Sequence, residues 1–441
     1  MSKLALLGGE KTVRLDYNEI ANLPLVNEKG LNSVIDLIKK GEISGSSLVN
    51  QFERKFSDYI GSNYALCCCN GTSALQEALF AVGVKHGDEV IVPSYTFWAT
   101  VAPIIAMHGV PVFCDIDKES YCLDPVKIEK KITNRTRAIM LVHVWGNPAK
   151  MDSIMAIAKK YNISVIEDAS HAHGAMWKDK KIGAIGDVAC FSFQGSKLLP
   201  GGEGGILVTN EREYYERAVA LGHYERISSF PDDSPYKKYA LTGMGYKHRI
   251  HPLAAAIAYS AFDNLEERNE IRNSQALILE DGLKDISCII PQKVYPGAKR
   301  QFAYHFATYD KSKLEGVLPT TFYKAVAKEG VQVGVCGYGR LHKAPLFVEA
   351  EPYGNGCPGK CSHISLDYDR KNITLPITEY LATNTFMIAP RFEKPCAELI
   401  KQYIVAYHKV VSNIEELKKY EKENSIELEE SKISSKSINL L

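Results

Sequence analysis

The chain lacks an excess of charge of either sign: 53 lysines and arginines stand against 52 aspartates and glutamates, for a formal net charge of +1. A polyanion such as a nucleic acid, or an acidic membrane surface, is therefore not the expected partner, and a small molecule is. Cysteine is sparse, at 11 in 441 residues, too dilute for a disulfide framework. No apolar run approaches the roughly 20 residues that span a bilayer, and the N-terminal "MSKLALLGGEKTVRLDYNEI" has no long apolar signal segment. These absences point to the cytoplasm, with reduced thiols. Internal repeats are missing as well, which excludes solenoids and propellers. The composition, 45% hydrophobic and 24% charged, suits a large core and two domains.

From about residue 64 to 210, short β-rich runs alternate with helix-like stretches: "EVIVPSYTF", "VPVFCDID", "AIMLVHVWG", "SVIEDAS", "VACFSF" and "GGILVTN". "GTSALQEALFAVGV" and "DSIMAIAKKY" carry apolar residues at helical spacing between them. The alternation predicts an α/β fold with a mostly parallel sheet, whose functional groups gather at strand ends and helix starts. After the helical "RIHPLAAAIAYSAFDNLEERNEIRNSQALILEDGL" the pattern changes to scattered strands and loops. The expected division is a large domain over 1–270, a smaller α+β domain over 271–420, and a charged tail over 421–441 that resembles disordered sequence.

Several motifs have bland readings. "GNGCPG", Gly354 to Gly359, fits a dinucleotide-loop pattern but contains Pro358 and lacks the flanking strand and helix, so it reads as a surface loop. Cys357, Cys361 and His363 could be half a zinc site, yet no second ligand pair accompanies them, and no metal is expected. The triple Cys67 to Cys69 reads as a buried strand of small apolar side chains. "NGTSAL" is either a phosphate-binding helix start, with Gly71 turning the chain and Thr72 and Ser73 offering amides and hydroxyls, or an ordinary helix cap. Asp168 ends an apolar strand and is either functional or a cap for the next helix. Lys197 stands between an apolar run and a glycine cluster in "CFSFQGSKLLPGGEGGILVTN", a setting that no solvated lysine needs.

The order of these elements narrows the choice. A phosphate loop (Gly71, Thr72, Ser73), an aromatic pair after a strand (Phe97, Trp98), a strand-end aspartate (Asp168) and the turn lysine (Lys197) form the parts list of a pyridoxal 5′-phosphate site. That cofactor needs a lysine for a Schiff base, an acid beside the pyridine nitrogen, donors for its phosphate and a flat surface against its ring.

Through "GEISGSSLVNQFERKFSDYIG", "IVPSYTFWATVAPI", "IEDASHAHGA", "FSFQGSKLLPGGEGG" and "RIHPLAAAIA" the chain resembles the DegT/DnrJ/EryC1/StrS family of pyridoxal-phosphate sugar aminotransferases of fold type I. The resemblance implies that Lys197 is the Schiff-base lysine and Asp168 the partner of the pyridine nitrogen. It also implies Thr72, Ser73 and Ser192 as phosphate ligands, Phe97 as the stacking ring, and His171 packed at the cofactor. Glu203, in the family's "GEGG", is expected to be structural. Two positions depart from the family: Gln194 stands where it usually has His, and Lys247 where it usually has Asn. That usage resembles the branch acting on cyclitol ketones, and the glutamine also resembles the aminohydroxybenzoate synthases. The implied activity is transfer of an amino group from glutamate or glutamine to a sugar or cyclitol ketone. The implied assembly is a homodimer in which Lys247 reaches the partner's phosphate site. The rivals are other chemistry on the same cofactor (aminobenzoate synthesis or ketosugar dehydration) and a non-catalytic regulator. Lys197 argues against dehydration, whose branch has histidine there, and intact Lys197 and Asp168 argue against a regulator.

Overall fold

The computed structural model describes residues 2–24, 26–349, 352–354 and 372–424. Cys357, Cys361 and His363, most of "GNGCPG", and the tail beyond residue 424 lie outside the described residues. Seven strands build the main sheet: β1 Tyr64–Cys68, β2 Glu89–Pro93, β3 Val110–Cys114, β4 Thr136–Val142, β5 Ser164–Asp168, β6 Val188–Ser192 and β7 Gly205–Thr209. Their spatial order is β1-β7-β6-β5-β4-β2-β3. Only β7 runs against its neighbours; the pairs among β3, β2, β4, β5 and β6 are parallel.

Helices cover both faces of this sheet, which is why the strands read as nearly continuous apolar runs. The period of two still shows. Leu66, Val90, Met140 and Cys190 enter one core cluster, while Cys67, Ile91, Ile139 and Phe191 enter the other. Each such side chain contributes about 1.5–3 kcal/mol by burial.

The strand ends set the site. Asp168, last in β5, pairs in register with Val142 of β4 and Cys190 of β6. Helix Gly71–Ala81 follows β1, and helix Trp98–Ala106 follows β2, so both begin at the edge where β5 and β6 end.

A second, antiparallel sheet comprises β8 Ile289–Pro291, β9 His305–Tyr309, β10 Gly334–Val335 and β11 Thr385–Ala389, in the order β8-β9-β11-β10. Its core includes Tyr309, Phe322, Phe386 and Tyr407, together with Leu4, Val13 and Ala21 from the N-terminal segment. Helix Leu265–Leu283 runs continuously through residue 270. The last helical stretch is two helices, Ala397–Val411 and Ile414–Glu423, because Asn413 leaves helical geometry at φ −117° and ψ 42°. Among the described residues no helix is long and apolar enough to cross a membrane.

Candidate active site

Lys197 sits on a turn that its neighbours hold closed. Past the end of β6, the Gln194 side-chain carbonyl accepts from the Ser196 amide at 2.7 Å and the Ser196 hydroxyl at 2.6 Å. The Lys197 amide donates to the Gln194 carbonyl at 2.8 Å, and the Gly195 amide to the Gly202 carbonyl at 2.9 Å. Gly204 has φ +147°, a backbone conformation that glycine adopts and other residues rarely do, and a Cβ there would press on the Ile250 Cδ1 methyl at 2.9 Å. Glu203 between the glycines is exposed. The turn directs Lys197 Nζ to 3.0 Å from His171 Nε2 and 5.9 Å from the Tyr304 ring centroid.

Asp168 is 5% exposed. Its Oδ2 accepts from the Thr100 hydroxyl at 2.7 Å and its Oδ1 from the Ser170 amide at 3.1 Å. The Thr96 and Thr100 hydroxyls are 2.9 Å apart, which extends the chain of hydroxyls behind the carboxylate. The Ser170 contact is the local turn that the capping alternative foresaw. No lysine, arginine or histidine among the described residues forms an ion pair with Asp168. A buried carboxylate that lacks a cation suits a cationic ring nitrogen. Thr100 shares its helix with Trp98, and Phe97 immediately precedes that helix. Phe97 and Trp98 are 43% and 51% exposed, so neither ring belongs to the core.

The helix start at Gly71 has the cap that the sequence offered, and it also leaves amides free. The Asn70 side chain caps the helix by accepting from the Ser73 amide at 2.8 Å. The first two amides, Gly71 and Thr72, have no carbonyl one turn back. A Cβ on Gly71 would lie 2.9 Å from Ser192 Cβ, so glycine alone lets the loop close onto Ser192. Ser73 Oγ lies 3.1 Å from Cys69 Sγ. Cys67 and Cys68 are buried in β1 as read from sequence, whereas Cys69 lies past the strand and is half-buried at the loop.

His171 is enclosed by aromatic rings. Tyr338 Oη lies 3.4 Å from both of its ring nitrogens, and the Tyr304 ring packs edge-on at 5.2 Å between centroids. The Trp145 amide faces His171 Nδ1 at 3.4 Å, and Trp145 holds φ +55°, a strained value for a bulky residue. Burial foremost, then the Lys197, His173 and Arg391 charges, push His171 well below its ordinary value. His171 is therefore neutral at neutral pH and accepts from the Lys197 ammonium. Burial acts to raise the Tyr304 phenol, but the Lys197 and Arg391 charges and a 2.8 Å hydrogen bond with Ser196 hold it below its usual range.

These histidines carry a stability prediction. His173 is likewise lowered to about 3, by burial and then by Lys197 and Arg272. In the unfolded chain both imidazoles take up a proton below the ordinary value of 6.5. The unfolded state then binds more protons, and stability falls as pH drops, by about 1.4 kcal/mol per pH unit for each fully protonated unfolded imidazole. Thermal melts between pH 7.5 and about 5.5, above the ordinary carboxylate range, should show this decline. The His173→Gln variant should show a shallower slope, and an unchanged slope would contradict the assignment.

Behind the phosphate loop lies a network that the sequence did not reveal. Glu77, fully buried, accepts from Cys68 Sγ at 2.9 Å and lies 3.0 Å from His223 Nε2 and 3.1 Å from His248 Nδ1. Burial acts to raise Glu77, but His223, His248 and Cys68 outweigh it and hold the carboxyl below its ordinary value. The Cys69 amide donates to the His248 carbonyl at 2.5 Å, which ties the loop to the segment carrying Lys247. Lys247 itself is exposed, with Nζ 5.7 Å from the Tyr224 ring centroid. Thr100, Tyr304, Tyr338, Trp145 and Arg391 complete the surroundings. Only Thr100, one turn into the helix after Phe97, had a positional signal in the sequence.

The sequence profile of the DegT/DnrJ/EryC1/StrS aminotransferase family matches residues 24–387. The chain belongs to that family. This aminotransferase is 34% identical over 328 residues to the L-glutamine:scyllo-inosose aminotransferase of Streptomyces griseus, covering 72% of this chain and 76% of the relative. It is 41% identical over 238 residues to the dTDP-3-amino-3,6-dideoxy-alpha-D-galactopyranose transaminase of Aneurinibacillus thermoaerophilus, covering 54% of this chain and 63% of that one. The crystal structure of 3-amino-5-hydroxybenzoic acid synthase superposes with a TM-score of 0.75 at 25% identity, over 89% of this chain and 99% of that one. The fold is therefore that of pyridoxal-phosphate-dependent aminotransferases, as the alternation of strands and helices implied.

Proposed function

We propose that this aminotransferase moves an amino group from glutamine or glutamate to a ketone of a cyclitol or nucleotide-linked sugar, with pyridoxal 5′-phosphate held on Lys197. The observation that carries the reading is the turn lysine 3.0 Å from a neutral His171, with a strand-end Asp168 that is buried and pairs with no cation among the described residues. The cofactor fits this chain: Gly71 lets the helix start and its free amides pack against Ser192 where a Cβ would clash, and Asp168 has no cation paired to it among the described residues, a place that a cationic ring nitrogen could take. When bound, it withdraws electrons from the donor's Cα–H bond.

The protein's own part is binding and proton movement. The Gly71 and Thr72 amides, with the Thr72, Ser73 and Ser192 hydroxyls, hold the phosphate. Phe97 covers the ring face. Lys197 Nζ, as free amine, would take the proton from the donor's α-carbon and give it back to the carbon on the other side of the intervening nitrogen, and the hydrogen bond to His171 would keep that amine in place. Two subunits share each site through Lys247, the division of the chain near residues 270 and 420 separates cofactor and covering domains, and the enzyme works in the cytoplasm.

A cyclitol ketone is the first acceptor to try, because the scyllo-inosose relative matches a larger share of the chain than the dTDP-sugar transaminase does. A second reading, aminobenzoate synthesis, has in its favour Gln194 and the likeness to 3-amino-5-hydroxybenzoic acid synthase. Borohydride reduction and peptide mapping should place the cofactor on Lys197, and a tag on another lysine would refute the site. The pyridoxamine form should regain the spectrum of the lysine-bound form when offered an inosose or a nucleotide ketosugar. Recovery only with an aminobenzoate precursor would select the second reading.

Phe97→Ala should weaken cofactor retention by about tenfold, the scale of one lost aromatic contact, and Trp98→Ala should do so less. Equilibrium dialysis of the cofactor checks the order, and the reverse order would transfer the stacking role to Trp98.

A further inference from the structure

Glu77 gathers three separate parts of the chain at one buried carboxylate. It stands on helix Gly71–Ala81 and is fully buried. Its Oε2 faces the Cys68 thiol of β1, while its Oε1 faces His223, just past helix Arg212–Gly222, and His248, the neighbour of Lys247. The separations, 2.9 to 3.1 Å, are those of hydrogen bonds to a carboxylate. Gly222 leaves room for the cluster, since a Cβ there would overlap Glu77 Oε1 and lie 2.9 Å from His248 Cβ. Burying a carboxylate is unfavourable, and apolar side chains of similar volume would fill this place without that penalty. What the cluster supplies instead is register, because a carboxylate with three donors fits one arrangement of the elements that carry them.

That register bears on Lys247. The run Met244 to Lys247 is exposed, and His248 is the first buried side chain after it. The run follows the end of helix Arg212–Gly222: the Met244 amide donates to the Ala220 carbonyl at 2.9 Å, the Tyr246 amide to Leu221 at 3.2 Å and the His248 amide to Gly222 at 3.0 Å. Arg249 then bridges to Cys68. His248 is thus the anchor of an otherwise exposed segment, and Glu77 holds that anchor. The helix start at Gly71 has supports of its own, in the Asn70 cap and the packing of Gly71 on Ser192.

We propose that Glu77 is a positioning residue that acts across the subunit boundary: through His248 it fixes Lys247 for the cofactor phosphate of the partner subunit. The inference rests on the shared-site reading. A residue buried in one subunit then governs the site of the other, although it touches neither cofactor nor substrate.

The test places one substitution in either half of a mixed dimer. Lys197→Ala subunits are reassorted with Lys247→Ala subunits, so the one complete site takes Lys247 from the first kind and Lys197 from the second. The readout is conversion of bound cofactor to its pyridoxamine form by glutamine or glutamate. Glu77→Leu removes both carboxylate oxygens at similar volume. In the Lys197→Ala subunit, which lends Lys247, it should slow the complete site by about tenfold or more, the scale of a small misplacement. In the Lys247→Ala subunit it should leave the rate nearly unchanged. Glu77→Gln, which keeps a carbonyl for His248, should retain part of the rate in the first placement. A role in folding alone would lower the melting temperature of both mixed dimers alike and create no such asymmetry. Equal slowing in the two placements, slowing only in the second, or slowing in neither would overturn the proposal. If Glu77→Leu subunits do not fold, His248→Ala in the same two placements decides by the same outcomes. An inactive mixed dimer with Glu77 intact, once Lys197 labelling and mixing are confirmed, would refute the shared-site reading and the proposal with it. Activity there without asymmetry would sink the proposal alone.

Discussion

Asp168→Asn should lower turnover by about two to three orders of magnitude, the usual loss when a preorganised electrostatic stabiliser is removed, while the protein stays folded. The side-chain carbonyl of asparagine can still accept from the Thr100 hydroxyl or the Ser170 amide, so the local scaffold that holds position 168 loses little. What disappears is the negative charge. A carboxylate beside a ring nitrogen favours its protonated form, and the protonated ring is the stronger electron sink. The variant should therefore bind cofactor with an altered absorbance and pH profile. Measured kcat with bound cofactor and an unchanged circular dichroism spectrum checks the expectation. Near-normal turnover would show that Asp168 only caps the turn after β5.

Recovery of activity on mixing two inactive variants is the second large effect expected. Lys247→Ala should be inactive if the lysine reaches the partner's phosphate, and Lys197→Ala should be inactive through loss of the proton-transfer amine. In a mixed dimer one site would hold Lys247 and Lys197 intact and the other neither. Random reassortment makes half of the dimers mixed, so about a quarter of the native site concentration should return. Lys247 is exposed in a single chain, as a residue that reaches into a partner's site must be. A lysine beside a phosphate also exchanges a solvated charge for a paired one. If confirmed mixed dimers show no recovery, Lys247 serves its own subunit or only the fold.

Much of this site was legible as sequence because the relevant residues sit at transitions between elements. The end of an apolar run located Asp168, a glycine next to hydroxyl residues located the helix start at Gly71, and glycines after a strand located the Lys197 turn. Those signals are local: a strand end, a helix start and a positive φ are properties of a few consecutive residues. Sequence also left real alternatives at "NGTSAL", and the structure shows why, since Asn70 caps the helix while Gly71 lets it close onto Ser192. In "CAELIKQYIVAYHKVVSNIEELKKY" the helix-like apolar spacing persists across Asn413, where the backbone breaks between two helices, so spacing alone does not mark that boundary.

The partners of these residues were decided only by folding. Thr100 meets Asp168 across 68 positions, Tyr338 meets His171 across 167, and Glu77 meets His223 and His248 across 146 and 171. Nothing in "IAPRFEKP" marks Arg391 as different from a solvated arginine; its unpartnered nitrogen exists because β11 places it against helix Leu265–Leu283, where one glutamate serves three guanidiniums. The order of elements and the chemistry of strand ends arise from periodicity and from residues whose backbone needs are special, and sequence carries both directly. Burial, charge balance and the field at a titrating group depend on which distant elements pack together, so only the tertiary structure could make His171 neutral, Glu77 an anion and Arg391 a cation in want of a partner.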